Sequence, residues 1–155
     1  MNAKLIYFSC LLFILSCASP QTHFKKGNYK KAYEQSLKRL KSGKSDRKGR
    51  QLLVKSFNEL YKDNRRLSLD FQSSDLIEDW EESYEINLDI ISLYNDGQSY
   101  LSKEFETEMG ELNQENAQLK DDIVTNYMLL GEEMMAEYDD TSDKAAAQDA
   151  HQMFL

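Results

Sequence analysis

FETEMGELNQENAQLKDDIVTNYMLLGEEMMAEY, residues 105–138, decides the fold class. Its stripe runs Phe105, Met109, Leu112, Asn116, Leu119, Ile123, Tyr127, Leu130, Met134 and Tyr138, in steps of three and four with the fours in excess. That is closer to the 3.6-residue period of a straight amphipathic helix than to a strict coiled-coil seam. Gly110 and Asn116 weaken the pattern, so the spacing predicts a helix beginning near residue 111 and breaking at Asp139-Asp140-Thr141-Ser142.

The same period recurs upstream. Leu37 and Leu40 extend a stripe that begins with Tyr29, Ala32 and Tyr33. SGKSD (42–46) interrupts it, and Ser45 or Asp46 can cap a long helix to about residue 69 with Leu53, Phe57, Leu60, Tyr61 and Leu67 on one face. Phe71-Gln72-Ser73-Ser74 ends that helix. Asp75-Leu76-Ile77-Glu78 has the form of a capping box before a helix carrying Ile77, Trp80, Tyr84, Leu88, Ile91 and Tyr94 on one stripe. Asn95-Asp96-Gly97 signals a turn. A last helix is expected over Asp143 to Leu155, with Ala146, Ala150 and Phe154. The chain of 155 residues suits one modest domain. Residues 18–155 hold only two Val, five Ile and four Thr, which favours helices over strands. The expected fold is all-α, with about five helices forming antiparallel hairpins as a solenoid or an irregular bundle.

Charge is sharply divided. Residues 18–66 hold 15 Lys/Arg and 4 Asp/Glu, whereas residues 67–155 hold 3 and 23. One reading is two solvated helical faces that attract each other across the fold, with little stability from such surface pairs. The other is that the basic half, residues 25–66, lies on an anionic lipid surface, where each Lys or Arg gains about 1 kcal/mol.

Lys4 precedes an eleven-residue apolar run, LIYFSCLLFIL (5–15). The run is too short to span a bilayer, which takes about 20 residues, but suits a signal-peptide core. Ile14-Leu15-Ser16-Cys17 resembles a bacterial lipobox. The resemblance implies a leader over residues 1–16, a diacylglycerol on Cys17 and a lipidated tether over residues 17–23. Cys10 would leave with the leader, so Cys17 would be the mature chain's only cysteine. Two or three acyl chains anchor a protein stably where one does not. Ala18 in place of Asp, by analogy with lipoprotein sorting, points to the outer membrane. ASPQTHF (18–24) has no acidic cluster of the kind some lineages use for surface export, which points to the periplasmic side.

Gly27-Asn28-Tyr29-Lys30-Lys31-Ala32 resembles the middle of a tetratricopeptide repeat. The resemblance implies a turn at Gly27, an aromatic Tyr29 packed on the preceding helix, and a small Ala32 at a close helix approach. Ser36 departs from the pattern, and too little chain precedes Gly27 for a repeat of about 34 residues. Leu130-Gly131 with Ala150 and Phe154 resembles a second such hairpin, at wider spacing. Residues 24–155 are therefore read as a helical domain of this type. AQDAHQMFL then stops mid-pattern: either the frame is cut short, or the helix ends on a neighbouring surface.

No stretch names a reaction. His23 and His151 are the only histidines and stand apart. Zinc spacings, G-x-S-x-G, a P-loop and GxGxxG are missing, and DDTSDKAAAQ does not supply a calcium loop. The acids Glu78, Asp79, Glu81, Glu82 and Glu85, then Glu104, Glu106, Glu108, Glu111 and Glu115, sit where amphipathic helices place solvated charge. Trp80, Tyr84 and Tyr94 read most simply as core, while an exposed Trp80 or Tyr84 would mark a partner surface. The leading expectation is a non-enzymatic, membrane-anchored envelope scaffold, bound to lipid through Cys17 and to unidentified envelope proteins through helical faces. No cofactor, metal, nucleic-acid or small-molecule partner is expected. The alternatives are a membrane-surface electrostatic module and an envelope carbohydrate-active enzyme using paired acids.

Overall fold

A computed structural model describes residues 19–43, 47–101, 103 and 105–141, the last five by backbone alone. The fold is all-α: α1 (Pro20–Lys25), α2 (Tyr29–Lys41), α3 (Arg47–Gln72), α4 (Ile77–Gly97) and α5 (Phe105–Thr141). No strand occurs among the described residues. The contacts divide the chain into two compact units, Met1–Lys62 with Leu93–Lys103, and Asp63–Ser92 with Glu104–Leu155.

The first unit has a mainly apolar interior, in which Ser36 and Ser56 are also buried. Ser19 caps α1 through its Oγ, which accepts the Thr22 N–H at 3.2 Å, and Pro20 starts the helix. The stretch read as a tether is thus helical from Pro20. Gly27 (φ +74°) turns the chain into α2, and Gly43 (φ +77°) turns it out. Both φ values lie where a Cβ is disfavoured. Ala32, Tyr33, Leu37 and Leu40 of α2 are buried with Leu53 and Phe57 of α3, Tyr94 of α4 and Leu101. Phe57 stands 6.0 Å from both Tyr33 and Tyr94, ring centre to ring centre, in tilted geometries. The Tyr33 hydroxyl donates to the Leu93 carbonyl. Burial first, and Asp96 second, push that phenol above its ordinary range, so it stays a neutral donor. Gly97 lies against the same ring; a Cβ there would collide with the Tyr33 hydroxyl and sit 3.2 Å from Cζ.

The second unit has a mixed interior. Its apolar part is Ile90 with Phe105, Met109, Leu112, Leu119 and Ile123. Ser68, Ser83, Asn87 and Asn116 are buried beside it. Arg65 Nη1 and Nη2 donate to the two Glu115 oxygens at 2.9 and 2.8 Å. Gln72 Nε2 donates to Glu115 Oε1 at 3.0 Å and to Ser83 Oγ at 2.9 Å. Ser68 Oγ donates to Asn87 Oδ1 at 2.9 Å and shares a 2.8 Å hydrogen bond with Ser83 Oγ. Burial alone would raise the Glu115 carboxyl, but its hydrogen bonds from Arg65 and Gln72 and the Arg65 charge outweigh that and hold it below the ordinary range.

Several sequence expectations need correction. Leu67 is 46% exposed, and Ser68 takes the buried position beside it. Along α4 the buried face is Ser83, Asn87, Ile90 and Tyr94; Leu88 is exposed, and Trp80 and Tyr84 are half-buried rather than core. The polar network supplies a reason: Ser68 Oγ, Ser83 Oγ and Asn87 Oδ1 are hydrogen-bonded together, so the interior can turn a polar stripe inward, although Asn87 Nδ2 is buried without a protein partner. α4 is led in by Ser74, not Asp75. Ser74 Oγ accepts the Leu76 N–H at 3.2 Å, and the Ser74 carbonyl accepts Trp80 Nε1–H at 2.8 Å. α5 begins at Phe105, and Gly110 is an exposed residue within it. That helix continues through Asp139 and Asp140 to Thr141. Asn95, Asp96 and Gly97 are the last residues of α4, so the turn starts at residue 98. The leader, Cys17 and the helix expected over 143–155 lie outside the described residues.

Candidate functional site

The first turn of the chain is held locally. Tyr29 packs on Phe24 of α1 with ring centres 5.3 Å apart, Gly27 occupies the left-handed turn position, and Ala32 is fully buried. These residues shape a hairpin, and Tyr29 is half-buried in it. Ser36 is buried on the same helix, next to Leu37.

Trp80 and Tyr84 have different surroundings. Trp80 is tied to the start of α4 through its indole N–H. Tyr84 lines a groove of about 680 Å³ within the second unit. α5 supplies Lys120, Ile123, Val124 and Tyr127 to this groove, and α4 supplies Glu78, Asp79, Glu81, Glu82 and Glu85. Ile123 is buried and Val124 is 49% exposed, so apolar surface reaches water between acidic residues. Desolvation first, then Glu81, to which it hydrogen-bonds, and Glu78 raise the Tyr127 phenol above its ordinary range. Tyr127 is therefore a neutral donor at neutral pH. Glu78, Glu81, Glu82 and Glu85 are solvent-exposed and Asp79 is half-buried. Five carboxylates face one ammonium, so this rim acts through a summed negative field on whatever approaches.

A second groove, of about 460 Å³, belongs to the first unit and has the opposite sign. Arg47, Arg50, Gln51, Val54 and Lys55 line it along the first turns of α3. Beyond the acid groove, α5 presents Met128, Leu129 and Met135 at 43–52% exposure. Among the described residues, no group of three or more His, Cys, Asp or Glu is placed to hold a metal ion. No helix among them is long and apolar enough to cross a membrane. His23 lies in the short α1, and His151 falls outside the described residues.

Tyr84 and the α4 acids stand out in the sequence, but their partners on α5 do not. Ile123 and Tyr127 read only as stripe residues, and Val124 was off the stripe. Arg65, Ser68 and Gln72 at spacings of three and four, with Ser83 and Asn87 four apart, carried a detectable signal. They prolong in polar form the stripes that Leu53 and Phe57 begin and that Ile90 and Tyr94 complete. Comparison of the chain with protein-family models, with curated proteins and with solved structures gives no match.

Proposed function

We propose that this chain is a non-enzymatic bacterial envelope lipoprotein, anchored through acylated Cys17 in the outer membrane and facing the periplasm. It binds other proteins through helical faces of the tetratricopeptide type. The anchor rests on Ile14-Leu15-Ser16-Cys17 at the end of an eleven-residue apolar run. The binding role is carried by one observation: the α4–α5 groove offers Tyr84, Val124 and Tyr127 beneath an acidic rim. Aromatic groups that are apolar at one end and polar at the other are the residues most used at protein interfaces.

Two measurements test this reading. Labelled fatty acid is expected to enter the wild-type chain and not a Cys17→Ala variant; labelling of both, or of neither, contradicts the anchor. Envelope extracts passed over immobilised chain are expected to yield a reproducible partner that a Tyr84→Ala/Val124→Ser variant loses. Equal capture by both chains, or no capture, contradicts the scaffold role.

The basic groove at Arg47, Arg50, Val54 and Lys55 supports a second reading, in which α3 lies on anionic lipid. Binding to anionic vesicles at low salt by a Cys17→Ala chain, absent with neutral vesicles, would favour it.

A further inference from the structure

The two grooves have complementary form. In the acid groove, Glu78, Glu81, Glu82 and Glu85 follow one helix over about 10 Å at 1.5 Å per residue. In the basic groove, Arg47, Arg50 and Lys55 follow another over about 12 Å. The acids recur at neighbour spacings of three and four, Arg47 and Arg50 stand three apart with Lys55 about two turns beyond Arg47, and both grooves set apolar groups among the charges: Tyr84 and Val124 in one, Val54 in the other. We propose that the acid groove of one copy receives the first turns of α3 from a second copy.

The contact joins different surfaces, so it is heterologous. Each engaged pair keeps one open groove of each sign, and such contacts extend into chains of molecules unless a rotation closes them. Two acid grooves, or two basic ones, repel, so the charge pattern selects against pairing of a groove with its own copy. Exposed ion pairs are individually weak. Tethering compensates for this, because copies held in one membrane meet at raised effective concentration. In that respect the inference rests on the anchored, protein-binding reading above.

Carbodiimide coupling tests the contact, since it joins an amine to a carboxylate that touches it. The full chain, as an equal mixture of isotope-labelled and unlabelled protein, is reconstituted into phosphatidylcholine vesicles at low salt. The expected products are mixed-isotope links from Lys48 or Lys55 to Glu78, Glu81, Glu82 or Glu85. Their yield should fall about tenfold at about 0.5 M salt. It should fall as far in Arg47→Glu/Arg50→Glu and in Glu78→Lys/Glu81→Lys, all four sites being exposed, and recover when the two variants are mixed. Same-isotope links alone would place the contact within one chain and overturn the proposal. Absence of these links, or yields indifferent to the charge reversals, would also overturn it. Failure here leaves fatty-acid labelling at Cys17 and partner capture to be read separately.

Discussion

The first unit closes on aromatic rings, whereas the second closes on an arginine, a glutamate and a set of serines and amides. Around Phe57 aromatic and aliphatic groups fill most of the interior; the Tyr33 hydroxyl finds the Leu93 carbonyl, and the Ser36 and Ser56 hydroxyls are buried without a protein partner. Around Ser68 the side chains are joined by hydrogen bonds from Ser68 to Ser83 and Asn87 and from Gln72 to Ser83. An apolar core loses stability in proportion to the volume removed. A polar core loses little if both partners go together, and much if one is left behind. The same sequence habit, a helix with one inward stripe, therefore yields two interiors that should respond to different perturbations.

The largest effect should come from Phe57→Ala. It removes a fully buried ring contacted by Tyr33 and Tyr94, and should cost about 3–5 kcal/mol in urea unfolding followed by circular dichroism. A loss under about 1 kcal/mol would mean that the aromatic cluster does not hold the first unit. Next is Arg65→Ala, expected to cost about 2–3 kcal/mol because Glu115 keeps its charge without its partner. The figure is held down because the Arg65 and Glu115 side chains are 18% and 36% exposed. An Arg65→Met/Glu115→Leu chain should recover most of that loss; if it is no better than Arg65→Ala, the polar interior is not organised around this pair. Gly97→Ala should cost about 1–3 kcal/mol, since the added methyl meets the Tyr33 ring. Relief of that loss by Tyr33→Phe, which removes the colliding hydroxyl, would confirm the cause.

The contrast also explains what could be read from the sequence. The helical class was legible because the stripe from Phe105 to Ile123 is apolar at nearly every step, and its residues are buried. Phe57 and Tyr94 were legible for the same reason. The inward face of α4 was not, because apolarity served as the marker and Ser83 and Asn87 lack it. Trp80 and Tyr84, the largest groups nearby, drew the stripe about a quarter-turn away. Boundaries failed where helix breakers are tolerated: Gly110 sits inside a helix whose face from Phe105 to Ile123 is buried, and Asp139 is also helical. Of the candidate site, the acids and Tyr84 could be listed, but the groove could not, because it needs residues some forty positions apart brought onto facing helices. Cys17 is a matter of local motif alone, which is why a sequence names it without any fold.

Acid offers the most direct test, since the polar network of the second unit includes the Glu115 carboxylate. Glu115 is held below its ordinary range in the fold, so its contribution is present at neutral pH. It is lost as pH falls below the ordinary carboxyl range through the lowered folded value. Glu115→Gln is the control, since it removes this carboxyl and keeps its size. Residue-resolved amide exchange, corrected for its intrinsic pH dependence, should show protection in residues 63–92 and 105–136 fading before that in 29–41 and 52–62. The Glu115→Gln chain should show a smaller difference between the two units across the same pH range. Loss of protection in both units together, or in the aromatic unit first, would contradict the division of the molecule into one interior held by rings and one held by a charged network.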